Sequence, residues 1–330
     1  NYISCKTCYK RVKGLIMNEK LDVVAIGECL IELSANTKMA DAECLYKYYG
    51  GDTLAAAVAA QRMGASVGFI TRVGNDSFKD YLLDGWHSEG LDISQVKISN
   101  EPNGLYIIAR PSCTEKEIAV YRKKIAPSKL SIEDIDEEYI KNAGIVYASG
   151  VTQSLSPSAA EAVEYAFKLA KEHGVKTAYD PNYHSALTTV EDAKDAFFRV
   201  SSNIDILFLN TKLDSVNILD IDSQENIIKR LWDMGISTVV LKSAEKHGYF
   251  TGYNGNINFT EFYTTDCLDT TCSGDAFNGG FMYALTHGFT EFESAKFASI
   301  VAGLQAKGIG AIKSIPHKEE VYSIYRGNND

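Results

Sequence analysis

Short apolar runs alternate with longer amphipathic stretches along most of this chain, and that rhythm restricts the fold more than any other feature. The segments "DVVAIG" (22–27), "SVGFITRVG" (66–74), "GIVYASG" (144–150), "VKTAYD" (175–180), "IDILFLN" (204–210) and "ISTVVLKS" (236–243) read as buried strands. Helical patterns lie between them. "TLAAAVAAQRMG" (53–64) stops at Gly64 and "DSFKDYLLDGWHSEG" (76–90) stops at Gly90, glycine being the residue that closes a helix in the left-handed region at little cost. Ser156 to His173, a stretch before 204 and residues 223–234 continue the series, and helix dominates after Gly274. This alternation predicts an α/β fold with a mostly parallel sheet covered on both faces. Two segments break the rhythm. Residues 29–51 are strand-like and turn-rich, and residues 98–124 carry two strand-like runs around a polar turn. Together they are expected to form a small second sheet, a lid over the edge of the main sheet where the strands end and where open α/β sheets bind ligands.

The chain has 330 residues, enough for one large α/β domain or two smaller ones. Its net charge of −10 argues against a general attraction to nucleic acid, while leaving anionic ligands to local geometry. No apolar run approaches membrane-spanning length. The seven cysteines, at 5, 8, 29, 44, 113, 267 and 272, are odd in number and no signal peptide is visible; a reducing cytoplasm and no disulfide framework are expected. Cys5 and Cys8 form a single C-x-x-C without a second pair or nearby histidines, which gives zinc little support. Residues 1–16 are basic and do not begin with Met. They read as a non-native or disordered extension ahead of a domain that starts near Met17. The sequence holds no G-x-x-x-x-G-K-[ST], no complete dinucleotide fingerprint, no H-E-x-x-H and no G-x-S-x-G.

Three stretches carry candidate chemistry. In "DTTCSGDAF" (269–277), small residues surround two carboxylates ahead of an apolar run. Ser273 and Gly274 suit a helix start with Asp275 in its first turn. The same geometry exposes backbone N–H groups that bind anions, phosphate above all, with Asp275 beside them to take a proton from an attacking hydroxyl. "YYGGDTLAAAVAAQRMG" (48–64) sets Gly51 and Asp52 before a helix, either as a capped turn or facing a polyhydroxylated ligand. "YDPNYH" (179–184) sets Asp180, Asn182 and His184 just past a strand end, either as an Asp-Pro turn or at the ligand edge.

The ordered set "GGD", "RVGND" (72–76), "YDPN", "VVLKSAEKHG" (239–248) and "DTTCSGDAF" resembles the ribokinase (PfkB-type) family of carbohydrate kinases, from Leu21 to about Ile324. The resemblance implies a three-layer α/β sandwich with a small β-sheet lid, residues 17–330 being one sugar kinase domain. It implies transfer of the γ-phosphate of ATP to a primary hydroxyl of a sugar or sugar acid, with Mg²⁺ on the nucleotide. Asp275 stands where the family has its base, and the amides of Cys272, Ser273 and Gly274 where it has its anion hole. Glu32, Gly51, Asp52, Tyr106, Asp180 and His184 fall on the sugar side. Asn182, Asn210, Lys242, Ser243, Gly248 and Gly274 fall on the nucleotide side. A monovalent cation such as K⁺ near Asp269 and a homodimer through the lid are left open by the same resemblance. The middle of the chain, "AVYRKKIAPSKLS" (119–131) with "YASGVTQSLS" (147–156), most resembles 2-keto-3-deoxygluconate kinases. There Arg122 would pair with the acid group of the substrate, guanidinium and carboxylate matching bidentately. Fructose- and ribose-type kinases remain alternatives.

Five positions depart from the family pattern. Ala55 stands for a sugar-contacting asparagine, His184 for an arginine, Ala244 for a glycine and Cys272 for the first glycine of the anion hole. Leu213 takes the glutamate position of N-x-x-E, with Asp214 one residue late, and one residue along a helix turns a side chain by about 100°. These departures keep open a second class of function, a sugar- or nucleotide-binding protein with impaired catalysis.

Overall fold

The computed structural model describes residues 20–111, 115–221, 223–264 and 266–327. The N-terminal extension, with Cys5 and Cys8, lies outside the described residues. From the N-terminus, β1 (Leu21–Ile26) is followed by β2 (Leu30–Ala35), β3 (Tyr46–Gly50), α1 (Asp52–Met63), β4 (Val67–Ile70), β5 (Arg72–Gly74), α2 (Lys79–Ser88) and β6 (Lys97–Ser99). Next come β7 (Gly104–Ala109), β8 (Glu117–Tyr121), α3 (Glu137–Lys141), β9 (Ala143–Ser149), α4 (Gly150–Gln153), α5 (Pro157–Glu172), β10 (Lys176–Asp180) and α6 (Val190–Val200). The chain ends with β11 (Ile206–Asn210), α7 (Gln224–Asp233), β12 (Thr238–Ser243), β13 (Gly248–Tyr253), β14 (Asn256–Glu261), α8 (Ser273–Thr286), α9 (Glu291–Gln305) and α10 (Lys318–Gly327). None of the described helices is long and apolar enough to cross a membrane.

The main sheet has the order β14-β13-β12-β11-β10-β9-β1-β4 and is parallel from β4 to β12. Its strands are apolar on both faces because both faces are covered. Val23, Ala25, Ile145, Tyr147 and Phe208 enter one core, against α1, α8 and α9. Their neighbours Val24, Ile26, Val146, Ala148 and Leu207 enter the other, against α5, α6 and α7. The strand period of two thus sorts successive residues into two separate cores, giving the expected three-layer sandwich.

The run 66–74 is not one strand. It breaks at Thr71, so that β4 stays in the main sheet while β5 pairs with β6 in a separate two-stranded sheet. The cause is polar: Arg72 Nε reaches Asp134 Oδ2 at 2.7 Å, and the Gly74 amide donates to Asn103 Oδ1 at 2.9 Å. Residues 97–99 are therefore not part of the lid. The lid proper is β3-β2-β7-β8, with β2 parallel to β7 and the outer pairs antiparallel. Strands β13 and β14 form an antiparallel edge that the expected elements did not include. Their signal is "NG" at 254–255, where both residues take positive φ, 49° and 76°, as a tight hairpin turn requires.

Helices α1 and α8 cross at unusually close range. A Cβ on Gly279 would collide with the Ala56 carbonyl oxygen and lie 2.7 Å from the Ala59 side chain. The small residues of "AAAVAA" and the glycine let the two backbones meet. That contact sets the N-termini of both helices side by side at the end of the sheet where β1, β9, β10 and β11 finish.

Candidate active site

Asp275 is the third residue of α8 and is 8% exposed. Burial, and then the charge of Asp52, hold its carboxyl well above the usual carboxylate range; Lys242 opposes them and Asp180 adds to them. The close packing of α1 on α8 brings Asp52, first residue of α1, into this field. Asp52 Oδ1 accepts from the Thr53 amide at 2.7 Å, and Oδ2 accepts from Asn182 Nδ2 at 3.3 Å. Gly51 precedes it because a Cβ there would collide with the Glu28 carbonyl oxygen.

Cys272 caps α8 in the left-handed region, at φ 62°, a conformation that favours glycine. Its thiol is pushed up by burial, then by Asp275, and donates to that carboxylate. The first-turn backbone amides of α8 point out of the helix, although that of Ser273 donates to the Thr270 carbonyl at 3.2 Å. Lys242 stands beside this turn, since a Cβ on Gly274 would lie 3.3 Å from its Nζ. The same ammonium is 2.7 Å from Asp180 Oδ2. Asn278, one turn after Asp275 on α8, donates through Nδ2 to Asp180 Oδ2 at 2.8 Å and to the Tyr147 hydroxyl at 3.0 Å. Sequence reasoning missed Asn278, although its three-residue spacing from Asp275 puts both on one helix face.

Asp180 ends β10 and accepts from the Asn182 amide at 3.0 Å, with Asn182 at φ 45°. Asn210 ends β11 and accepts from the Lys212 and Leu213 amides at 2.9 and 3.0 Å. Asp214 is not turned away. Residues 211–213 form turns rather than α-helix and a π-helical turn follows at Ser215–Leu219, so the 100° argument does not apply. Its Oδ1 accepts from the Tyr183 amide at 2.9 Å and its Oδ2 from the Asn210 amide at 2.6 Å, while Leu213 is exposed. Burial, then Asp180, raises the Asp214 carboxyl to about 7. Ser243 is buried beside Lys242, and Gly248 pairs with it in the β12–β13 register. Gly248 packs under Phe259 and Thr260, where a Cβ would collide.

The lid positions the remaining candidates. Tyr106 on β7 donates to Glu32 Oε2 at 2.6 Å. Glu32 on β2 is fully buried, and its Oε1 is 3.6 Å from Arg110 Nη2. Its Oε2 also accepts from the Ala311 amide at 3.4 Å, so Glu32 sits where the lid meets the segment between α9 and α10. Arg110 also reaches Asp269 Oδ2 at 2.6 Å, so a guanidinium of the chain already supplies positive charge beside Asp269. Lys116, across the β7–β8 turn, donates to Thr271 Oγ1 at 2.5 Å. Turnover is accordingly expected to be equal in KCl and in tetramethylammonium chloride at matched ionic strength; activation of threefold or more by K⁺, on the order of 0.7 kcal/mol, would show a cation site elsewhere. Arg122, just after β8, pairs with Glu28 at 2.9 Å. His184 is exposed and lines a cavity of about 1160 Å³ with Lys123, Val151, Ser154 and Asn182. That cavity adjoins the site through Asn182 but does not reach Asp275. Among the described residues no group of three or more His, Cys, Asp and Glu could hold a metal ion.

A buried carboxylate at a helix N-terminus and a lysine beside the same turn are groups of the kind that phosphoryl transfer to a hydroxyl calls for. Residues 20–318 match the pfkB family carbohydrate kinase, and the chain belongs to that family. It is a phosphotransferase with an alcohol group of a sugar as acceptor. It is 28% identical to the 5-dehydro-2-deoxygluconokinase of Clostridium beijerinckii, covering 92% of each chain. It is 26% identical to that of Bacillus subtilis, covering 91% of this chain and 94% of the other. The 2-dehydro-3-deoxygluconokinase of Thermotoga maritima shares the fold with a TM-score of 0.84 at 24% identity, over 92% of this chain and 99% of that one. An E. coli protein solved with ATP and Mg²⁺ shares it with a TM-score of 0.85 at 21% identity, over the same shares of the two chains.

Proposed function

We propose that the chain transfers the γ-phosphate of ATP to the primary hydroxyl of a six-carbon keto-deoxy sugar acid, of the kind named in its curated relatives and in the Thermotoga neighbour. The observation that carries this reading is the Arg122 guanidinium, 10% exposed and held against Glu28 near the Gly51–Asp52 turn. In this reading Asp275 removes the hydroxyl proton, and the start of α8 with Lys242 receives the phosphoryl group. Mg²⁺ supplies charge neutralisation on the nucleotide phosphates. With no protein cage for it among the described residues, it would be held mainly by phosphate and water. Asn182, Asn210 and Ser243 lie on the nucleotide side of this arrangement, and Asp52 contacts sugar hydroxyls.

A neutral ketose is the second reading, favoured by one fact: Arg122 already has a protein carboxylate as partner. The test is ATP consumption by purified protein with 2-dehydro-3-deoxygluconate, 5-dehydro-2-deoxygluconate, fructose and ribose. Turnover on either acid at kcat/KM at least tenfold above fructose, about 1.4 kcal/mol, supports the first reading. The reverse order supports the second, and ATP binding without turnover on any acceptor supports the impaired binder.

A further inference from the structure

Glu28 lies between β1 and β2, where the chain passes from the main sheet into the lid. Its side chain is 4% exposed and that of Arg122 is 10% exposed. Arg122 Nη2 is 2.9 Å from Oε1, and Arg122 Nε reaches Oε2 at 3.4 Å. Nη2 also donates to the Val151 carbonyl at 3.2 Å, and Nη1 donates through one of its two N–H groups to Ser154 Oγ at 3.4 Å. Most of the guanidinium's donors are thus committed to groups of the protein itself, both of the Glu28 oxygens among them.

We infer that Glu28 is the specificity-determining residue of the acceptor site: it competes with a substrate carboxylate for Arg122 and so sets the preference between acid and neutral sugars. This rests on the acceptor site proposed above. The physical reason is a charge balance. Glu28 and Asp52 bring two carboxylates to this corner and Arg122 brings one guanidinium. An entering acid sugar adds a third negative charge and must displace Glu28 from its partner. A neutral sugar adds none and leaves the pair intact. An unpaired buried carboxylate is strongly unfavourable, so Glu28 takes up a proton when it is displaced.

The titration of Glu28 fits this role. Burial raises its carboxyl to about 7, Arg122 opposes that from the lid, and Asp52 adds to it from α1. Cys29, the adjacent residue, is kept as a thiol by its own burial. Above about pH 7 acid-sugar binding therefore carries the uptake of one proton, and KM for the acid rises up to tenfold per pH unit. KM for a neutral sugar lacks that slope.

The experiment measures kcat and KM of the wild type for 2-dehydro-3-deoxygluconate and for fructose from pH 6 to 9. It repeats this for Glu28→Gln and for Glu28→Asp. Glu28→Gln is expected to raise the acid-to-neutral ratio of kcat/KM at least tenfold at pH 8 and to flatten the acid-specific slope. Glu28→Asp keeps the charge and is expected to keep the wild-type preference. A ratio within twofold of wild type in Glu28→Gln, or equal slopes for both sugars in the wild type, would overturn the inference. The wild-type slopes need no variant and stand even if Glu28→Gln folds poorly. If the wild type phosphorylates only fructose, the acid-sugar reading falls by itself. The inference is then supported if Glu28→Gln gains acid-sugar turnover and overturned if it does not.

Discussion

Asp275→Asn is expected to lower kcat by about 10²–10⁴-fold, the range that a positioned general base contributes, while nucleotide affinity stays within about twofold. The substitution keeps the shape of the side chain and leaves the α8 backbone and Lys242 in place, so the phosphate-binding elements survive. Steady-state kinetics and calorimetric titration with ATP analogues separate the two quantities. Kinetics within tenfold of wild type would remove Asp275 from the base role. The variant should also be more stable. The Asp275 carboxyl is held well above its usual range by burial and by Asp52, so the folded state binds that proton more tightly than the unfolded chain does. The stability this proton contributes is present at acid pH and is lost as pH rises through the raised folded value. Asparagine carries no such charge. The gain in Tm from Asp275→Asn is therefore expected to grow from pH 5 to pH 8. A gain in stability at a lost active-site charge is the usual trade between stability and activity. The same shift places the acid limb of the wild-type pH–rate profile above the ordinary carboxylate range.

Arg110→Ala is expected to have the largest effect on stability. Arg110 is 8% exposed, and its partners Asp269 and Glu32 are 4% and 0% exposed. Removing the guanidinium leaves two buried carboxylates without their cation, and breaking a buried pair costs about 3–5 kcal/mol. Turnover should fall as well, because Asp269 also accepts from the Thr271 amide at 3.0 Å and hydroxyl at 2.6 Å, which fixes the entry to α8. Urea unfolding gives the first quantity and initial rates the second. The double variant Arg110→Met/Asp269→Asn removes both charges and should recover part of the lost stability. Loss of less than about 1 kcal/mol in Arg110→Ala, the scale of an exposed pair, would mean that water reaches this cluster.

Different parts of this site left different traces in the sequence. The helix start that carries Asp275 is legible because its neighbours are small and an apolar run follows, whereas a base role for Asp275 rests on the family resemblance. Asp52 and Asp180 were legible because each sits at the junction of two periodicities. Asn278 lies inside the apolar run of α8, which masks it although it shares a helix face with Asp275. The β13–β14 hairpin carried its "NG" turn in plain view, but its strands are short and half exposed, so their apolar pattern is weak. The break at Thr71 was not legible, because nothing in 66–74 shows that Asp134 and Asn103 will draw the chain aside.

The sequence alone determined the alternation of strand and helix, the lid segments in outline and the helix start that holds Asp275, since each depends on residues within a few turns of one another. Only the tertiary structure decided the charge pairing. Arg110 meets Asp269, Arg122 meets Glu28 and Lys242 meets Asp180 across long separations in sequence. A lone arginine or glutamate has no periodicity, and whether it is solvated, catalytic or neutralised by a partner is set by which groups the fold buries beside it. That burial gives Glu28, Asp214 and Asp275 their raised carboxyls, because desolvation is a property of the packed surroundings and not of the residue itself.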